Sequence, residues 1–135
     1  MRTSLLTLLL TVSIVFSLHS TSHAADAAAG VKKVQVEEFD KLRAKPNHVV
    51  LDVRTAEEFK AGHVAGAKNL DVHDPDFAKK LQSLDKSKTY LVHCAKGKRS
   101  AAASEQMSRA GLTNVIDFTG GFEAWKKAEK PIAKE

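Results

Sequence analysis

Cys94 is the only cysteine of the chain, and it opens the run Cys94-Ala95-Lys96-Gly97-Lys98-Arg99-Ser100 between an apolar, strand-like stretch and an alanine-rich, helix-like one. A thiol placed where a strand gives way to a helix lies where open parallel sheets collect ligands and where helix N-termini direct unpaired N–H groups outward. Gly97 lets the backbone curl, so that successive N–H groups from Ala95 to Ser100 can form an anion-holding nest. Lys96, Lys98 and Arg99 add positive charge around it. Such surroundings lower a thiol pKa from about 8.5 into a range of roughly 3.5 to 7.5, which makes the thiolate a nucleophile near neutral pH. The plain alternative is a buried, inert cysteine, and for Lys96 and Lys98 it is ordinary surface solvation. Arg99 fits either a brace on the loop or a direct contact to a bound anion.

Histidine offers less. His93 precedes the cysteine, and the alternation of a strand turns its side chain to the opposite face, which suits a packed histidine better than a general base. A Cys94–His63 pair is open, although no third residue stands out to orient the imidazole. Of six histidines, His19 and His23 fall near the N-terminus, and His48, His63, His73 and His93 lack the spacing of metal ligands. With a single cysteine, no zinc site is expected. No dinucleotide or phosphate-loop fingerprint occurs, and no cofactor is expected.

Met1-Arg2, the uncharged Leu-rich stretch from Thr3 to Leu18, and Ser22-His23-Ala24 have the three parts of a secretory signal. Residues 1–24 are read as that signal, with cleavage after Ala24 and a periplasmic or secreted product. The apolar stretch is short of the roughly 20 residues that span a bilayer, so no stable membrane association is expected after cleavage. The remaining 111 residues suffice for one domain, read over residues 31–129, with a C-terminal tail over 130–135 frayed from Lys130. Without the leader the formal charge is about +4, which favours small anions or acidic partners. The scattered lysines and the absence of any nucleic-acid motif argue against nucleic acid. One cysteine forms no internal bridge, so the fold must stand on its core.

The elements needed to position Cys94 alternate along the chain as in an α/β domain with a largely parallel sheet flanked by helices. Val34-Gln35-Val36 reads as a first strand, 37–45 as a helix, and 49–53 as a strand covered on both faces. Thr55 and Glu58 form a capping box for a short helix that Gly62 ends. Asp74-Pro75 reads as an N-cap with proline at the first helical position, before a face of Phe77, Leu81 and Leu84. The stretch 89–93 is the expected central strand, 100–110 a helix stopped by Gly111, and 115–118 a further strand. A turn at Thr119-Gly120-Gly121 then leads to a last helix, 122–128, that buries Trp125.

Three blocks in this order resemble the single-domain rhodaneses, sulfurtransferases with a three-layer rhodanese-like fold. The first is Leu51-Asp52-Val53-Arg54 with Glu57-Glu58-Phe59 and the run from Gly62 to Asn69. The second is the loop from Cys94 to Ser100, and the third is Asn114-Val115 with Gly120-Gly121-Phe122-Glu123-Ala124-Trp125. The resemblance implies that Cys94 takes sulfane sulfur from a small anionic donor such as thiosulfate and holds it as a persulfide. It then passes the sulfur to cyanide or a thiol, including the thiol of a protein. Ala95, Lys96, Gly97, Lys98, Arg99 and Ser100 would bind the donor, while Asp52, Arg54 and His63 would be scaffold beside the site, with Gly62-His63 as a turn. A non-catalytic sulfur carrier or interaction module uses the same cysteine. Phosphatases and arsenate reductases of this fold have five residues between Cys and Arg, whereas four separate Cys94 from Arg99, a cradle sized for sulfur.

Overall fold

The computed structural model describes residues 30–135, and the leader read over 1–24 lies outside them. Five parallel strands form the central sheet in the order β1-β6-β5-β2-β4: β1 (Lys32–Val34), β2 (His48–Asp52), β4 (Lys68–Asn69), β5 (Thr89–His93) and β6 (Val115–Phe118). A separate antiparallel pair joins β3 (His63–Val64) to β7 (Ile132–Ala133). The helices are α1 (Val36–Arg43), α2 (Ala56–Ala61), α3 (Phe77–Gln82), α4 (Lys98–Arg109) and α5 (Gly121–Lys127).

Period-two alternation divides the core between the two faces of this sheet. Leu51, Val53, Tyr90, Val92, Cys94 and Val115 pack with Phe77 and Leu81 of α3 and Ala103 and Met107 of α4. Val34, Val50, Leu91 and Phe118 face the other way, onto Phe39 of α1 and Phe122 and Trp125 of α5. Phe39 stacks on Phe118 and meets Trp125 edge to face. Helix, sheet and helix thus make the three layers expected, and β5 is central, with Cys94 at its carboxyl end.

Four local expectations are corrected. Val36 belongs to α1, not to the first strand: it continues the Phe39 and Leu42 side of the helix, and β1 pairs with β6 two residues earlier. Asp74 accepts the Asp76 N–H in a turn ahead of α3, whose N-cap is Asp76, so Pro75 precedes the helix and does not begin it. Helix α4 starts at Lys98, two residues earlier than its alanines suggested. Residues beyond Lys130 are held: Ala65 N–H and Trp125 Nε1 both donate to the Pro131 carbonyl, and Lys130 bridges Glu37 and Asp40. By contrast, the capping box on α2 is present as read, with Glu58 N–H on Thr55 Oγ1 and Thr55 N–H on the Glu58 carboxylate.

Candidate active site

The loop after β5 owes its shape to two glycines at positive φ. Gly97, at φ +97°, is the N-cap of α4, and a Cβ there would collide with the Thr119 carbonyl. Gly121, at φ +60°, opens α5, and a Cβ there would lie 2.5 Å from the Ala95 oxygen and 2.6 Å from the Cys94 oxygen. Side chains at such positions strain the backbone and here also meet main chain that cannot yield. The close approach lets α5 take up the loop's carbonyls: Phe122 N–H donates to Cys94 O at 2.7 Å and Glu123 N–H to Ala95 O at 3.0 Å. With its carbonyls drawn toward α5, the loop turns its N–H groups to the sulfur. Sequence reading found the Gly120-Gly121 turn but not this grip, because nothing in either segment alone says that they touch.

Cys94 is 1% exposed. Its Sγ accepts the Gly97 N–H at 3.1 Å. Burial pushes the thiol pKa up, but the N–H and hydroxyl of Ser100 and the N–H groups of Gly97 and Lys96 outweigh it and hold the thiol below its ordinary value. Donors aimed at one atom favour its anionic form. Of the N–H groups from Ala95 to Ser100 read as a nest, that of Gly97 makes the direct hydrogen bond to the sulfur.

The cations divide. Lys96 and Lys98 are exposed at the rim. Arg99 is held by Glu58 in a bidentate pair, Nη1 to Oε2 at 2.7 Å and Nη2 to Oε1 at 2.9 Å, and it braces the loop through this carboxylate. The Arg99 guanidinium, ahead of the opposing cost of burial, draws the Glu58 carboxyl down to about 2. The Ser100 side chain is buried, and its hydroxyl donates to Gly97 O at 3.2 Å. Ala95 is half-buried, its carbonyl committed to α5.

The three residues read as scaffold make their hydrogen bonds with partners other than the sulfur. Arg54 grips both carboxylate oxygens of Asp52 and donates to Gly62 O at 2.8 Å, with both side chains buried. Its guanidinium also covers the Phe122 ring at 4.2 Å, next to the N–H that holds Cys94. His63 stacks on Phe59 at 3.7 Å and donates from Nδ1 to Phe59 O. It belongs to strand β3 and not to a turn, and it makes no pair with Cys94. His93, fully buried against Phe39 and Phe118, lies on the face opposite Cys94. Burial keeps its pKa low, and the neutral ring donates from Nδ1 to Cys94 O at 3.1 Å.

Beside the loop a groove of about 540 Å³ is lined by Arg54, Glu58, Gly62, Phe122, Lys126 and Ile132, among others. Among the described residues, no cluster of His, Cys, Asp and Glu could hold a metal ion, and no helix is long and apolar enough to cross a membrane.

Comparison with known proteins agrees with this architecture. A rhodanese-related protein from Thermoplasma volcanium superimposes with a TM-score of 0.65 at 33% identity, over 77% of this chain and 99% of its own. Thiosulfate sulfurtransferase GlpE of Pseudomonas putida is 35% identical over 96 residues, 70% of this chain and 84% of the relative. The chloroplastic thiosulfate sulfurtransferase 16 of Arabidopsis thaliana is 38% identical over 94 residues, 62% of this chain and 78% of that one. Residues 35–128 match the rhodanese-like domain, and with a parallel sheet delivering a cradled cysteine between β5 and α4, the chain belongs to the rhodanese-like domain family.

Proposed function

We propose that this protein is a thiosulfate sulfurtransferase that works through a persulfide on Cys94. The observation that carries this reading is the sulfur cradle itself: one thiol, held below its ordinary pKa by backbone donors, at the end of the central strand. Relatives at 35% and 38% identity bear the name thiosulfate sulfurtransferase, which supports the same donor here.

In the first step the Cys94 thiolate attacks the outer sulfur of thiosulfate. A Cys94 S–S bond forms, the S–S bond of thiosulfate breaks, and its electron pair leaves with sulfite. The charge of the persulfide anion stays within reach of the same N–H donors, so the product needs no new stabilising group. Lys96 and Lys98 attract the dianionic donor from the rim. Arg99, already engaged by Glu58, shapes the loop more than it binds the donor. In the second step cyanide or a thiolate attacks the outer sulfur, the Cys94 S–S bond breaks, and the thiolate is restored as thiocyanate or a new persulfide departs. The leader over 1–24 supports action in the periplasm or outside the cell, which mass analysis of the mature N-terminus would check.

Intact mass tests the chemistry. The mature protein exposed to thiosulfate is expected to gain one sulfur, to lose it on adding cyanide or a thiol, and to gain none as Cys94→Ser. Absence of the gain in the unaltered protein would overturn thiosulfate as donor and favour a carrier loaded by another protein.

A further inference from the structure

Between β1, β6 and α4 lies a polar cavity that the proposed sulfur transfer does not use. Asp117 of β6 is 1% exposed, and Ser104 of α4 is fully buried. Neither Asp117 Oδ1 nor Ser104 Oγ has a hydrogen-bond partner among the described residues. Both residues line a cavity of about 200 Å³ together with Val31, Lys33, Ala101 and Glu105. A carboxylate oxygen and a hydroxyl buried without donors carry a desolvation cost that a bound donor would recover. Burial raises the Asp117 pKa, the direction expected of a carboxylate short of donors.

The acceptors and the charges together select the ligand. Asp117 Oδ1 accepts hydrogen bonds, and the Ser104 hydroxyl accepts as readily as it donates. Asp117 and the exposed Glu105 bring two acidic groups to the cavity against one base, Lys33, which stands opposite Asp117 in register but stays exposed. One buried carboxylate is too few ligands for a divalent metal, and among the described residues no cluster of acids, histidines and cysteine could hold one. The volume is several times the roughly 30 Å³ of one water, so a small organic cation fits. We infer that this cavity is a binding site for a primary ammonium group, held by Asp117 Oδ1 and Ser104 Oγ. Two of the ammonium's three N–H donors serve these atoms, and the third is left to water.

That chemistry has two sources, a free amine and the chain's own α-ammonium. Gly30 also lines the cavity. Cleavage of the leader after Ala24 would leave five residues, 25–29, ahead of it, a tether of up to about 18 Å.

The test is a titration of the nitrogen-15-labelled mature protein with methylammonium chloride, followed by nuclear magnetic resonance through the amide signals of Ala101, Ser104 and Asp117. Saturable shifts are expected, and none with tetramethylammonium chloride, which has the charge but no N–H. Asp117→Asn should weaken binding by about tenfold or more, and Ser104→Ala by about threefold. The same titration on protein acetylated at its N-terminus alone separates the sources. Shifts in both forms assign the site to a free amine; shifts only after acetylation assign it to the chain's own α-ammonium. No saturable shift in either form, an equal response to tetramethylammonium, or full binding in Asp117→Asn would overturn the inference. Should Asp117→Asn not fold, Ser104→Ala and the tetramethylammonium control decide. None of these readouts requires sulfur transfer, so a protein that takes no sulfur from thiosulfate would sink the proposed function and leave this inference standing.

Discussion

Strands β2 and β5 are parallel neighbours, Asp52 opposite His93 in register, and each delivers a turn of polar residues to the same edge of the sheet. The two turns are finished in opposite ways. After β2 the charges close on each other: Arg54 takes both oxygens of Asp52, and Asn69 Nδ2 caps the carbonyls of Asp52 and Arg54. After β5 the carbonyls are drawn off by α5 and the N–H groups converge on a sulfur. A satisfied ion pair makes a rigid strut with nothing left to offer a ligand. Donors gathered on one anion leave that anion able to react. Position at the end of a strand makes a site available, and the partners supplied from other elements decide whether it becomes one.

The contrast is most severely tested at the strut. Arg54→Ala strands the buried Asp52 carboxylate and is expected to cost about 3–5 kcal/mol of stability, read by denaturant unfolding. In the fraction that folds, the Cys94 alkylation midpoint should stay near its usual place; a large shift would mean that the two turns are not separate devices. Gly121→Ala attacks the cradle instead. Its backbone strain alone is of order 1–3 kcal/mol, and by pushing α5 away from the Cys94 and Ala95 carbonyls it should slow sulfur loading by about two orders of magnitude. A variant that loads sulfur at the original rate would refute the account of how the N–H groups are turned inward.

Smaller effects refine the comparison. Lys96→Ala with Lys98→Ala should raise the KM for thiosulfate by roughly threefold to tenfold at low salt, less at high salt, and should spare a neutral donor. Equal losses with both donors would show that the rim does not read charge. Smallest is the Glu58 brace, a partly exposed pair worth little near neutral pH. Because its folded pKa lies at about 2, below the ordinary 4.5, its contribution is complete above pH 4.5 and is lost as pH falls toward 2. Glu58→Gln should therefore flatten the fall in stability across that window, as followed by thermal unfolding at a series of pH values.

Much of this organisation was legible because it is local. A capping box needs only Thr55 and Glu58 three residues apart, and both its hydrogen bonds are there. Strand alternation was enough to send His93 and Cys94 to opposite faces. Misplaced boundaries have equally physical origins. Val36 suits a strand by β propensity, yet its spacing to Phe39 serves a helix buried against Trp125 and Phe118, and that packing prevails. The stretch beyond Lys130 has no strong strand pattern and is ordered by what it meets: the Trp125 indole, strand β3 and the acids of α1.

The sequence by itself determined that a lone cysteine follows a buried strand, precedes a helix and is spaced from its arginine for a sulfur-sized loop, because those features depend on neighbours along the chain. Tertiary structure decided which groups reach that cysteine. The Phe122 N–H, let in by the glycine that opens α5, takes the Cys94 carbonyl, and Glu58 engages Arg99, both from segments distant in sequence. Hydrogen bonds and ion pairs act over about 3 Å, and only the folded chain brings such residues that close.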